Sequence, residues 1–549
     1  MARSIPCQQL WARIWLICKR RINVPLRHFW PSAGVTKLPV NHDLDLSNIR
    51  SCAHDATPQV TYQNHMVVFE ILGKKGTFSN LATWPWSPAE SMFSHLWLIH
   101  LHSMEYLKAT DDELFIRIIK DWIAANPKHH QGYWYASWNA YALSVRTFVW
   151  MIEYWRRPGL RDQVGPLMVE SLISQIEFLS HNLETDLGGN HLIKNIRALL
   201  LAGKFFKGQK SCHWTKRGLA LLDQEVHRQV LDDGMHFERS PSYHNDVLQD
   251  LMNCYAMVTD DDTRDLLKKT IEKMSKVAAS LTHPDGHVAL FNDSVVSSVS
   301  TSDLKDELDM LGIRAPVESN EFSFPESGFS GRRWGQNYFV VKHGLMGAVQ
   351  QPGHGHADIF SFEWSLEGHR FIVDKGVFEY EAGNQRDLSR ATQSHNTLNI
   401  DGRDQCEMWG SFRSGRKPRV TSAVEFNGDE IVVEGSHDGY CRLAGRPVHK
   451  RWIAASERHI SVEDKVIGGC GQIAEARLLL HPDCKPIKRG GTILIGFDRY
   501  QVELTSNSDM KITEAKWFPT FGESIKTHQI ALAYGPIPGA WNFKLSRLK

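Results

Sequence analysis

The hydrophobic period of this chain changes once along its length, and that change limits its architecture more than any other feature. From about Ser91 to Gly312 apolar residues recur at three- and four-residue spacing, in Leu96 to Leu107, Leu114 to Ala124, Ala140 to Trp155, Val164 to Leu179, Leu192 to Phe206, Gly218 to Val230 and Asp246 to Met257. Short polar links join these runs, which predicts antiparallel helix hairpins. Beyond about Phe322 short β-rich runs follow in quick succession, among them Tyr338 to Val341, Asp358 to Trp364, Arg370 to Val373, Thr397 to Ile400, Glu430 to Glu434 and Ala476 to Leu480. Turns such as Asp401-Gly402 and Asn427-Gly428-Asp429 separate them, the pattern of an antiparallel sandwich. Periodicity by itself leaves a bundle, a solenoid or a toroid open for the helical part.

At 549 residues the chain is too long for one ordinary core. The expected division is a lead-in segment with a basic arm over 1–85, a helical domain over 86–318 and a strand-rich domain over 319–549. The boundary lies where Pro, Ser and Glu accumulate near Ala315 to Glu326. The 63 basic and 62 acidic residues leave a net charge of +1, so no global field recruits nucleic acid, and an acidic substrate must be held locally. The nine cysteines form no CxxC pair, which argues against a disulfide framework or a zinc ribbon. Trp11 to Cys18 is a short apolar run broken by Arg13 and followed by Lys19-Arg20-Arg21, and it reads as a basic amphipathic arm rather than a signal peptide. No stretch has membrane-spanning length. The default compartment is therefore the cytoplasm, with the periplasm as the alternative, and oligomeric state is not specified.

Three clusters can carry chemistry. Gly188-Gly189-Asn190-His191 precedes the apolar run Leu192 to Phe206, placing Asn190 and His191 at a helix start, where backbone amides and the macrodipole suit a carboxylate; a plain Asn N-cap is the alternative. Glu238-Arg239-Ser240-Pro241-Ser242-Tyr243-His244 also sits just before a helix. In the strand-rich part, His354 and His356 stand at alternate positions, with Asp358, Asp374 and His395 following. His356, Asp374 and His395 supply two imidazoles and a carboxylate, a ligand set suited to zinc, and His354 is left for acid or base work. Trp134, Trp138 and Trp409 are candidate stacking platforms for sugar rings.

Asn190-His191-Leu192, Ser240-Pro241-Ser242-Tyr243-His244, Gly353-His354-Gly355-His356-Ala357-Asp358, Ser394-His395-Asn396-Thr397, Asp401-Gly402 and Gln405-Cys406-Glu407-Met408-Trp409-Gly410 together resemble the heparinase II/III family of polysaccharide lyases, in the family's order, from roughly Trp84-Pro85-Trp86 to the C-terminus. The resemblance implies an incomplete α/α toroid followed by an antiparallel β-sandwich, with a substrate cleft between them. It implies β-elimination of a 4-O-linked uronic acid in an acidic polysaccharide or oligosaccharide, leaving a 4,5-unsaturated sugar. The C5 proton is only weakly acidic until the neighbouring carboxylate is neutralised, and an enolate-like charge must be stabilised when it leaves. By resemblance Asn190 and His191 do the neutralising, and Tyr243 and His354 share the proton transfers. An ordinary Tyr titrates near ~10, so Tyr243 needs help from positive charge or hydrogen bonds, for which His244, Arg239 and a metal are the expected sources. His356, Asp374 and His395 are by resemblance the zinc ligands, with a structural role ahead of a catalytic one.

The chain departs from the family at Lys194, where some members carry an acidic residue one helical turn after the neutralising His. That puts heparin specificity in doubt and makes Lys194 a candidate substrate contact. Arg390 and Glu407, with Arg386, Arg403 and Arg413, lie in loops around the His395 motif and are candidate sugar or carboxylate contacts. Two rival functions remain: a metal-dependent glycoside hydrolase, which would need paired carboxylates such as Glu238 and Asp293, and a non-catalytic glycan-binding or capsule-assembly protein.

Overall fold

A computed structural model of the chain describes residues 11, 13–18, 22, 37–50, 59–63, 66–78, 86, 93–296, 299–317, 319–349 and 351–548. The basic run Lys19-Arg20-Arg21, the Trp84-Pro85 pair and Ser91 lie outside the described residues. By its contacts the chain forms two compact units, one of Met1–Gln229, Asp246–Ile271 and Asp303–Arg314, the other of Val230–Asn245, Glu272–Ser302 and Ala315–Lys549.

In the first unit the expected helices form as α1 His95–Ser103, α2 Asp112–Ala125, α3 Ala140–Arg156, α4 Arg161–Ser180, α5 Gly189–Phe205 and α6 Gln209–Gln229. Side-chain caps set several starts: Asp111 accepts from the Leu114 N–H at 2.8 Å and Asn139 from the Tyr141 N–H at 3.0 Å. α1 stops short of Leu107 because Met104 adopts a left-handed conformation at φ 60°. Each of α1, α3 and α5 packs on the next in that series, whereas α2 packs on α4 and α6 on α5. Alternate helices are therefore neighbours from α1 to α5, and consecutive ones pack as well, α3 on α4 and α5 on α6, as in the double layer of an α/α toroid. Burial follows the layers: α3 is buried without a break from Ala142 to Glu153 and α5 from Leu192 to Ala202. α2 buries one stripe only, Leu114, Phe115, Ile118, Ile119 and Trp122. An antiparallel sheet of Gln59–Gln63, Met66–Ile71 and Lys74–Phe78 also belongs to this unit, within a segment expected only to lead in.

The second unit holds the larger antiparallel sheets. One of eight strands runs in the order Val420–Asn427, Glu430–His437, Val448–Ala455, His459–Ile467, Gly539–Arg547, Tyr500–Ser506, Thr492–Phe497 and Lys485–Arg489. A four-stranded sheet orders Asp509–Trp517, Ile525–Pro536, Ile473–Leu479 and Leu398–Ile400, and a five-stranded one runs from Glu321–Phe324 to His369–Ile372. Residues from all three, among them Ile453, Leu478, Leu532 and Trp364, fill one apolar core.

The units do not follow the contiguous split at 318/319. Met235, Val277, Leu281, Ala289 and Phe291 precede that point but share a core with Phe322, Phe329, Tyr338 and Val340, which carries 230–245 and 272–302 into the strand-rich unit. α7, Pro241–Met257, accordingly begins in the second unit and ends in the first. Tyr243 lies on the portion that belongs with the strands.

Candidate active site

Tyr243 sits in the first turn of α7. Pro241 opens the helix, where its missing N–H costs nothing, and the Ser240 hydroxyl accepts from the Tyr243 N–H at 3.3 Å. The Ser240 hydroxyl also donates to the Asp293 carbonyl at 2.9 Å, and Ser242 Oγ accepts from the Val295 N–H at 2.9 Å. The Ser-Pro-Ser block thus fixes the helix start against the 292–295 turn.

That turn presents Asp293 to the histidine-rich segment. Asp293 Oδ2 lies 2.9 Å from His354 Nδ1 and Oδ1 lies 2.8 Å from His356 Nε2, while the Arg386 guanidinium engages both oxygens. Burial would raise this carboxyl, yet Arg386 and the two imidazoles hold it well below the usual carboxylate range. Asp293 is therefore an anion that fixes the His354 ring. The Tyr243 and His354 rings lie 4.2 Å apart by centroid, and the Tyr243 hydroxyl is 2.7 Å from that of Tyr380. Arg386 lies 4.8 Å from the Tyr380 ring centroid and is the cation of this corner.

His244 does not supply the positive charge expected of it. Burial pushes its imidazole down to about 4; its Nδ1 accepts from the His236 N–H at 3.1 Å, so Nε2 carries the proton toward the Met274 carbonyl at 2.9 Å. Arg239 is buried as well and donates to the Glu326 carbonyl at 3.0 Å.

His356, Asp374 and His395 converge, all fully buried, with ligand-capable atoms within 4.8 Å of one another. His395 Nδ1 lies 2.9 Å from Asp374 Oδ1. Burial drives His356 down to about 3, and for His395 burial acts the same way but is outweighed by the Asp374 carboxylate, so its imidazole is raised. His356 Nδ1 and His395 Nε2 are buried without a hydrogen-bond partner. Two orphaned imidazole nitrogens beside a carboxylate fit a divalent metal of the zinc type, which would satisfy both at once. Just behind, Asp358 Oδ1 pairs with Lys342 Nζ at 2.5 Å, and Ser361 donates to Asp374 Oδ2 at 3.0 Å.

In the first unit Asn190 and His191 occupy the first turn of α5, after Gly188 and Gly189 at φ 66° and 61°. His191 Nδ1 lies 3.0 Å from Glu184 Oε1, whose other oxygen accepts from Asn195 Nδ2 at 3.1 Å. The His191 side chain is 35% exposed, whereas Asn190 is buried. Trp134 and Trp138 line a cavity of about 240 Å³ with Tyr133, Tyr135, Glu184 and Asp186.

Two expected substrate contacts have other work. Lys194 is buried with its ammonium 3.0 Å from Asp250, which Arg197 also engages at 2.5 Å. Arg390 is buried and donates to the carbonyls of Gly355, Gly410, Ser411 and Arg413, clasping the loop rather than facing solvent. Arg386 is likewise committed to Asp293. Glu407 is exposed, and Trp409, 38% exposed, lies on a two-stranded ribbon with Arg413. Asp293, Tyr380 and Glu184 are the site residues that no short motif marks.

Residues 95–314 match the family description "Heparinase II/III N-terminus" and residues 316–541 match "Heparinase II/III-like, C-terminal". The chain belongs to the heparinase II/III-like family. Among curated relatives, a heparin-sulfate lyase of Bacteroides thetaiotaomicron is 24% identical over 379 residues, 58% of this chain and 53% of that protein. One of Pedobacter heparinus is 25% identical over 270 residues, 43% of this chain and 39% of that protein. This heparinase II/III-like chain thus spans about half the length, or less, of these curated relatives. Its fold is that of a solved heparinase III, with TM-score 0.69 at 17% identity over 94% of this chain and 86% of that one. It is also that of a heparan sulfate lyase mutant from Pedobacter heparinus, with TM-score 0.62 at 20% identity over 86% and 80%.

Proposed function

We propose that this heparinase II/III-like protein is a polysaccharide lyase that cleaves a 4-O-linked uronate glycan by β-elimination. The observation that carries the reading is the pairing of Tyr243 with His354, their rings 4.2 Å apart, each held by its own partner. In this reading the Tyr243 phenol and the His354 imidazole divide the removal of the C5 proton and the protonation of O4. Asp293 keeps His354 oriented through Nδ1, which leaves Nε2 as the working nitrogen. Tyr380 and Arg386 favour the phenolate form of Tyr243, one by hydrogen bonding and the other by charge. Asn190 and His191, with Glu184 orienting the imidazole, are assigned to neutralise the uronate carboxylate.

His356, Asp374 and His395 would hold a divalent metal, zinc by donor set, whose chemistry in this reading is to neutralise and rigidify the buried wall behind His354. The hydrolase alternative loses support at Asp293, since both its oxygens are bound to cations or imidazoles and neither is available to a glycosidic oxygen or a water. The test is incubation with a panel of uronate polymers. A lyase raises the ultraviolet absorbance of a double bond conjugated to the uronate carboxylate, a hydrolase releases reducing ends without it, and a binding protein does neither. Reducing ends without absorbance would overturn the reading.

A further inference from the structure

Residues 11 and 13–18 are helical, and their large apolar side chains face outward: Trp11 is 70% exposed, Ile14 43%, Trp15 67% and Ile17 45%, with Ile22 at 54% just beyond. No other twelve-residue stretch among the described residues gathers more than two exposed large hydrophobics. Trp11, Ile14, Trp15 and the exposed Cys18 stand at i, i+3, i+4 and i+7, one stripe about 100° wide. The opposite side of the helix faces the first unit, with Arg13 Nε 3.6 Å from Asp186 Oδ2 and Leu16 lining the cavity of Trp134, Tyr135 and Trp138. The outward stripe is therefore not a core face awaiting its partner in this unit, since the helix already uses its other side for that. The surrounding sequence is one-sided in charge: Arg3, Arg13, Lys19, Arg20, Arg21, Arg27 and Lys37 all precede Asp43, the first acidic residue in a sequence whose net charge is only +1.

We infer that this N-terminal helix is an interfacial anchor that lays Trp11, Ile14 and Trp15 into an anionic lipid surface. Tryptophan suits the headgroup boundary because one ring edge is polar and the body apolar, and a sequence with seven cationic residues and no acidic one before Asp43 is drawn to anionic headgroups. A protein partner would explain the apolar stripe but not a 42-residue lead without an acidic group, and a soluble polyanion would explain the charge but not the two exposed indoles. The anchor holds the protein to the membrane surface without crossing it, and it acts independently of any lyase activity.

The experiment sediments the full chain with vesicles of phosphatidylcholine alone and of phosphatidylcholine mixed with phosphatidylglycerol. Binding is expected to the mixed vesicles only, to fall at high salt, and to drop about tenfold or more in a Trp11→Glu, Trp15→Glu variant whose thermal unfolding is unchanged. If that variant does not fold, Lys19→Gln, Arg20→Gln and Arg21→Gln supply the test, each expected to weaken binding roughly fivefold. The inference is overturned by no sedimentation, by equal binding to neutral vesicles, or by concentration-dependent dimers that the Trp variant abolishes in the absence of lipid binding. Binding to a soluble polyanion that the Trp variant retains, with no binding to vesicles, overturns it as well.

Discussion

The hydroxyl of Tyr243 lies 2.7 Å from that of Tyr380, a residue 137 positions away. One phenol must donate and the other accept, and the bond favours whichever bears the developing negative charge. Burial raises the Tyr380 phenol well above its ordinary range, with the Asp293 carboxylate adding to that, so in the proposed lyase reaction Tyr380 is the group that stays protonated and donates. Tyr380→Phe should lower kcat on a uronate polymer by roughly tenfold while KM stays near the parent value, the loss of one hydrogen bond made at the charged stage. An unchanged kcat would remove Tyr380 from the proton path.

Asp293→Asn should cost both stability and rate. The buried Arg386 guanidinium would lose the anion that compensates it, a loss of about 3–5 kcal/mol in unfolding free energy by chemical denaturation. Combining it with Arg386→Met should recover much of the stability but not the activity, because His354 would still lack its anchor. Full activity in the double variant would show that Asp293 does not orient His354.

For the metal, elemental analysis of purified protein should find one zinc per chain, and His395→Ala should find none. Removing zinc with a chelator should lower the midpoint of thermal unfolding, and re-addition should restore it. Equal zinc in the parent and His395→Ala would refute the ligand assignment.

Glu307 gives a stability change with pH in the helical unit. Burial pushes its carboxyl up to about 7, although the Gln249 amide at 2.5 Å acts in the opposite direction. A raised carboxyl means the fold prefers the neutral form. Its contribution is fully present below the unfolded value near ~4.5 and is lost as pH rises through about 7. Glu307→Gln should therefore flatten the pH dependence of urea unfolding between ~5 and ~8, by an amount on the order of 2–3 kcal/mol. A parallel shift of both curves would contradict this.

How much of this was legible in the sequence depends on whether a property is periodic or paired. The helices α2 to α6 and most of the strands appear where the three- and four-residue spacing and the alternation predict them, but the run Asp358 to Trp364 does not: only Phe362–Leu366 is a strand, and His354 ends a 3-10 turn over Pro352–His354, so His354 and His356 are not alternate positions of one strand. The histidine-rich segment and the Ser-Pro-Ser-Tyr block are legible as motifs, but their meeting is implied only by the family resemblance, since spacing carries no information about loops that meet across a core. Asp293, Tyr380 and Glu184 are single polar residues with no local signature; each matters because of what lies opposite it. Lys194 and Arg390 looked like substrate contacts because a cation on a helix or loop is usually solvated. Their carboxylate and carbonyl partners, Asp250 and Gly410 among them, come from distant positions. That 230–245 and 272–302 cluster with the strands is illegible for the same reason, because Phe291 and Phe329 share a core that neither residue's neighbourhood announces.

In the proposed reaction the Tyr243 phenol carries the decisive proton transfer. The direct measurement is the rate of conjugated-double-bond absorbance on a cleavable uronate polymer, compared between the parent protein and Tyr243→Phe. With zinc content and thermal midpoint unchanged, the rate should fall by about 10²–10⁴-fold. A Tyr243→Phe variant that forms the unsaturated product at the parent rate would contradict it.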